Sequence, residues 1–141
     1  MRYAVLALLV TLASCASSSA DADTFEERAG AIPPGKGRIY FFRSSKMTGS
    51  AMRPGVKLND KRVGKSVPGA YFFVDQDPGS YKVETSVIIG HAVNLDLKAG
   101  ETVYVETWAH VGFAAAHVRP KLVTAEAGRR AAAKCKLDTT P

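Results

Sequence analysis

The residues that could carry chemistry are few and scattered along the chain. Three histidines, His91, His110 and His117, are the natural metal ligands. A zinc-type pair on a helix needs i, i+4 spacing, and a structural site needs further Cys or His close by; the sequence has neither pattern. His91 follows Gly90 at an expected hairpin tip, and His110 and His117 flank a Gly-Phe-Ala-Ala loop. All three read as solvated loop histidines, and no metal or cofactor is expected. Ser, His and Asp all occur, but without the Gly-x-Ser-x-Gly elbow or a similar context that would present a nucleophile to a base. Paired carboxylates would serve glycoside hydrolysis. Glu84, Asp96 and Glu106 instead fall opposite the apolar positions of their strands, which places them on a solvated outer face. The sequence predicts no catalytic residue and no enzyme.

Surface binding is the other chemistry on offer. Arg53, Lys57, Lys61, Arg62 and Lys65 form a basic run containing one acid, Asp60. On a hairpin, Lys57 would lie near Arg62 or Lys65, giving a positive strip. Such a strip gains against anionic lipid or lipopolysaccharide and weakens with salt. Charges on an edge hairpin serve solubility equally well, because they block edge-to-edge pairing. Tyr40, Phe42, Tyr71, Phe73 and Trp108 could stack on sugar rings, but strands apolar on both faces more often fill a core. Trp108, opposite the Val103 and Val105 face, is the aromatic residue left for glycan stacking.

At the N-terminus, Met1-Arg2-Tyr3 precedes ten uncharged, mostly apolar residues, Ala4 to Ala13. This is the layout of a secretory signal, and it is shorter than the roughly 20 apolar residues a membrane-spanning helix needs. Leu12-Ala13-Ser14-Cys15 resembles the bacterial lipobox, in which the Cys thiol receives a diacylglyceryl group and becomes the acylated N-terminus after cleavage. The resemblance implies a palmitate-type anchor on Cys15, firm because several chains share one residue. A cut after Ala20 is the ordinary-signal alternative. Ala16 after the Cys points, by the same resemblance, to the outer membrane.

Removing residues 1–14 leaves 141 − 14 = 127 residues and a charge of 18 − 13 = +5 with His neutral. That length buries enough surface for one real core. The excess positive charge favours anionic lipid, lipopolysaccharide or acidic glycan; nucleic acid is not expected as a partner of an exported chain. With Cys15 acylated, Cys135 has no partner within the chain, and burial is its expected state.

The elements around these residues follow from patterning. Residues 16–37 are small, polar and punctuated, which reads as a tether, flexible in its Ser/Ala/Asp part; Asp23-Thr24-Phe25-Glu26 offers a cap for one short helical turn before Gly30, and Pro33-Pro34 stiffens the approach to the first strand. Arg38 to Arg43 (RIYFFR) and Ala70 to Val74 (AYFFV) are apolar on both faces and belong in the middle of a covered sheet. Gly55 to Leu58 and Arg62 to Ser66 flank the turn Asn59-Asp60-Lys61, and Asp77-Pro78-Gly79 has the residues of a type II turn. Clean period-two alternation follows in Tyr81, Val83, Thr85 and Val87, in Val93, Leu95 and Leu97, and in Val103, Val105 and Thr107. A last strand broken near Pro120 precedes a helix over Thr124 to Lys136, with Thr124 as cap. The expected fold is all-β, a small antiparallel β-sandwich of about seven strands with one C-terminal α-helix.

The segment Val56 to Glu84 resembles the PEGA-type β-sandwich module through Val56, Leu58, Asn59, Val63, Gly64, Pro78, Gly79, Tyr81 and Val83, with Asp60 in place of the usual turn Gly. Together with RIYFFR and the lipobox, residues 38–127 resemble a domain-of-unknown-function family of small bacterial lipoproteins and secreted proteins. The resemblance implies a sandwich and an envelope location, and no activity. Three regions are expected: a lipoprotein signal peptide (1–14), an anchor and tether (15–37), and a PEGA-like domain with its helix (38–141). The function expected is that of a non-enzymatic envelope lipoprotein with a binding or scaffolding role in the periplasm, facing an envelope protein, lipopolysaccharide or peptidoglycan. A carbohydrate- or peptidoglycan-binding module using exposed aromatics is the alternative.

Overall fold

The computed structural model describes residues 25–86, 91–111 and 116–140. Cys15, the signal segment and Val87 lie outside them. Among the described residues a short helix α1 (25–29) is followed by β1 (Gly37–Phe42), β2 (Gly55–Leu58), β3 (Lys61–Lys65), β4 (Ala70–Gln76), β5 (Gly79–Thr85), β6 (Ala92–Leu97), β7 (Thr102–Val111), β8 (Ala116–Val123), α2 (Ala125–Ala132) and β9 (Lys136–Leu137).

The strands form two sheets, one in the order β8-β7-β1-β4-β9 and the other β3-β2-β5-β6. Between them Ile39, Phe41, Val56, Leu58, Val83, Leu95, Leu97 and Val105 make the main core. These are the inward positions of the alternating strands. The opposite face of the five-stranded sheet is covered too: Tyr40, Phe42, Tyr71 and Tyr104 pack under Phe25 of α1 and Ala132 of α2. Tyr40 and Tyr104 stack at 5.2 Å, and Phe25 meets Tyr71 edge-on at 4.7 Å. A strand with large apolar side chains on both faces needs two partner layers, and β1 has them. The result is three layers: small sheet, large sheet and helices.

The sandwich with a C-terminal helix is as expected, but several details differ. The large sheet is mixed, because β1 pairs parallel with β7 and β9 pairs parallel with β4. The packed body extends back from residue 38 to at least Phe25: Phe25 is 2% exposed, Glu26 pairs with Arg129 at 2.9 Å, and the Tyr104 hydroxyl donates to Glu26 at 3.2 Å. From Phe25 onward the expected tether is therefore part of the folded body. The Asn59-Asp60 turn is two residues long, with φ of 48° and 65°, a type I′ geometry whose twist suits a hairpin. Asn59 also adds a rung to the sheet, donating its N–H to Lys82 O at 2.9 Å and accepting from Lys82 N at 2.8 Å. Asp77-Pro78 is a corner between sheets, and Gly79 is the first residue of β5 without the positive φ a type II turn requires.

β8 runs through Pro120 without a break because it is an edge strand, where a missing N–H costs no ladder bond. The C-terminal helix is shorter than expected. Thr124 caps it, its Oγ accepting from Ala127 N at 3.3 Å, but it ends at Ala132 and the chain turns to pair β9 with β4. Gly128 lets the helix lie directly on the sheet, since a Cβ there would come within 2.3 Å of Tyr104 Cβ.

Candidate functional site

The β2–β3 hairpin carries the basic run at one edge of the four-stranded sheet. A bulge between Val56 and Lys57 shifts the register so that Lys57 faces Arg62. Arg53, Lys61 and Arg62 are exposed, while Lys57 and Lys65 are half-buried. Gly64 holds the hairpin against the second sheet: a Cβ at this position would meet the Phe72 ring at 2.6 Å. On its other side Lys57 faces Glu84, which binds Lys82 at 2.8 Å and raises the Lys82 ammonium above its ordinary value. The positive strip is therefore confined to the hairpin, and the rest of that face is charge-balanced. Asp96 lies on the same face and accepts from Ser80 at 2.5 Å. A shallow depression of about 540 Å³ is lined by Asn59, Ser80, Lys82, Asn94 and Asp96 together with Tyr81 and Leu95, and reaches Val103 and Leu122 of the other sheet.

The aromatic residues divide as their strands dictate. Tyr40, Phe42 and Tyr71 are buried beneath the helices, and Phe73 is half-buried beside them. Trp108 lies on the same face of β7 as Tyr104 but past the helices, and it remains 38% exposed. The recess formed by Arg43, Ser44, Lys46, Glu106 and Trp108 encloses about 30 Å³, room for a water and not for a sugar ring. Trp108 could meet a glycan only as a flat platform. Glu106 is on this helix-side face, not on a solvated outer one, and accepts from Ser44 Oγ at 3.4 Å.

The histidines are placed differently from the expectation for two of the three. His91 is exposed just ahead of β6. His110 and His117 are not loop residues but direct register partners in the β7–β8 ladder, two positions along from the Trp108–Arg119 pair and so on the same face as it. The His110 and Trp108 rings lie 5.2 Å apart. Spacing alone hides such a pair, because the pairing register of the two strands decides which residues face each other. Among the described residues, no three His, Cys, Asp or Glu side chains converge.

Two buried arginines escaped the sequence reading. Arg38 is 3% exposed and forks onto Asp75. Arg43, also 3% exposed, donates among the described residues to carbonyls and to no carboxylate: Met52 at 2.7 Å, Gly49 at 2.6 Å and Ser66 at 3.4 Å, and burial lowers its pKa. It is the internal scaffold of the 44–54 loop. The available signal was the strand itself, since arginines at both ends of a doubly covered strand have little route to water. Close by, Ser66 and Thr107 share a 2.7 Å hydroxyl hydrogen bond, and Thr107 also donates to Phe42 O. Cys135 is buried with its thiol toward Arg43 O and Ala131 O, and burial pushes its pKa up to about 11.

The family model described as "Protein of unknown function (DUF2846)" matches residues 33–120 of the chain. An uncharacterized protein of Haemophilus influenzae is 20% identical over 140 residues, covering 96% of this chain and 83% of that one.

Proposed function

The chain belongs to this family of proteins of unknown function, and from that premise we propose that it is a non-enzymatic, lipid-anchored envelope protein whose sandwich serves binding or scaffolding. The observation that carries the reading is the short distance between anchor and body. Cys15 stands in a lipobox-like Leu12-Ala13-Ser14-Cys15, and Phe25 is already packed into the body, so no more than 25 − 15 = 10 residue steps separate the two. Ten residues reach at most about 35 Å when fully extended. An acylated Cys15 holds the whole body beside the bilayer surface, within range of headgroups and of proteins set in the same leaflet. The PEGA-like pattern of Val56 to Glu84 and the signal-like N-terminus support the same reading, and Ala16 favours the outer membrane facing the periplasm.

The hairpin with Arg53, Lys57, Lys61, Arg62 and Lys65 is the surface proposed to meet an anionic partner, lipopolysaccharide among them. Opposing charges meet across such a contact in high dielectric, so it weakens with salt. Metabolic labelling with a clickable fatty acid marks the wild type and not Cys15→Ala, and the variant leaves the membrane fraction. An unlabelled wild type overturns the anchor. Changing Lys57, Lys61 and Arg62 to Glu weakens cosedimentation with anionic vesicles at low salt; a wild type that fails to cosediment removes the hairpin from the reading.

A further inference from the structure

We propose that His110 and His117 form a two-imidazole binding site for a divalent transition-metal ion, with Cu²⁺ bound more tightly than Zn²⁺. The site rests on register. The two residues are direct Cα partners in the antiparallel β7–β8 ladder, so both side chains leave the same face of the sheet. Directly opposed residues in such a ladder have Cβ atoms about 4.5–5.5 Å apart. Metal–nitrogen bonds of about 2.0–2.1 Å place two cis imidazole nitrogens about 3 Å from each other. Each ring can swing toward the other about its own χ angles to reach that separation, and the backbone need not move. His110 is exposed and His117 half-buried, so an ion can enter from solvent.

The neighbours decide which ion is favoured. One rung along the same face lies the Trp108–Arg119 pair, and one rung further the Glu106–Lys121 pair. Glu106 is four residues from His110 along an extended strand and is engaged with Ser44, so it does not serve as a third ligand. Two protein nitrogens suffice for Cu²⁺, which completes a tetragonal shell with water and stands at the top of the affinity order for nitrogen sites. Zn²⁺ generally takes three or four protein ligands and gains less here. His91 sits ahead of β6 in the other sheet, and Cys135 is sealed under the helices. The chain's single tryptophan is Trp108, whose ring lies 5.2 Å from that of His110, so it reports on an ion held there.

The test titrates CuCl₂ into the full chain while following tryptophan emission. Quenching saturates at one equivalent in the wild type and in His91→Ala. His117→Ala, which leaves the Trp108–His110 contact intact, shifts the midpoint to at least about tenfold higher copper, as does His110→Ala, and excess Zn²⁺ restores emission only at much higher concentration. Pulsed electron paramagnetic resonance of the wild-type copper complex shows two equatorial imidazole nitrogens, a reading that does not depend on any variant folding. Absent or non-saturating quenching, an unchanged midpoint in a folded His117→Ala, or a spectrum with fewer than two imidazoles overturns the site.

Discussion

Arg38 and Asp75 face each other across the β1–β4 ladder, and the guanidinium grips the carboxylate with two bonds, Nε to Oδ1 at 2.7 Å and Nη2 to Oδ2 at 2.9 Å. The third nitrogen, Nη1, donates to Gly30 O at 2.7 Å, and the guanidinium lies over the Phe73 ring at 4.4 Å. One side chain thus joins the two central strands, the segment leading in from α1, and the aromatic layer. The hydrogen bonds that Arg38 donates to Asp75 outweigh the burial that opposes them and raise the Arg38 pKa.

Removing one partner strands a nearly buried charge, so Asp75→Asn is expected to lower unfolding free energy by about 3 kcal/mol. Arg38→Lys falls close behind, because an ammonium cannot make the fork and the Gly30 bond together. Urea denaturation of each variant measures the loss. The double replacement Arg38→Met with Asp75→Leu should cost less than either single change, since it leaves no charge unpaired.

Gly128→Ala sets two effects against each other. Alanine favours a helix interior by about 1 kcal/mol over glycine. Its Cβ, however, would stand 2.3 Å from Tyr104 Cβ, a clash that only lifting α2 relieves. The packing loss of about 1–3 kcal/mol is expected to win, seen as a lower Tm despite the better helix former.

Phe25→Ala empties a site bounded by Tyr40 and Tyr71. A cost of about 3–5 kcal/mol is expected in thermal or denaturant unfolding, a loss that a loose tether would not show. Amide exchange at 25–31 should rise in the same variant, as α1 detaches from the sheet.

Cys135 governs part of the response to alkali. Its folded pKa is raised, to about 11, so the protonated thiol contributes stability below the ordinary thiol value near 9 that is lost as pH rises toward 11. Tyr104, raised in the same direction by burial, adds to the loss. Unfolding free energy is expected to fall by about 2 kcal/mol or more between pH 9 and 11. Native protein at pH 8 should react with iodoacetamide far more slowly than unfolded chain, because the thiolate is both scarce and covered. Fast alkylation at Cys135 itself, located by peptide mass spectrometry of the native protein, would refute the burial argument.

How much of this was legible follows from what periodicity encodes. Alternation tells which face of a strand is wet, and it placed Val83, Leu95, Leu97 and Val105 inward, as found. The doubly apolar runs identified β1 and β4 as covered strands in the same way. Alternation says nothing of which strand lies beside which, so the β1–β7 and β4–β9 parallel pairs and the His110–His117 rung had no local signal. Composition marked residues 16–37 as a tether with one helical turn near Phe25, and the turn is α1; that Phe25 also fills a niche assembled from distant strands had no local signal. The arginines that bound RIYFFR are interior residues because distant segments, α1 with its following turn and the 44–54 loop, close over them, and no local pattern announces that. The basic run was legible as a hairpin, but not Glu84, which reaches it from another strand.

The partnership of β1 with β7 joins Arg38 to Thr102, across most of the folded chain. For a polypeptide emerging N-terminus first, the greasy central ribbon has one flank open until the last third arrives. Closing so large a loop is slow, and an uncovered edge of this kind invites wrong partners in the interval. A chain cut short before residue 102 would lack β7 and leave that edge of β1 unpaired.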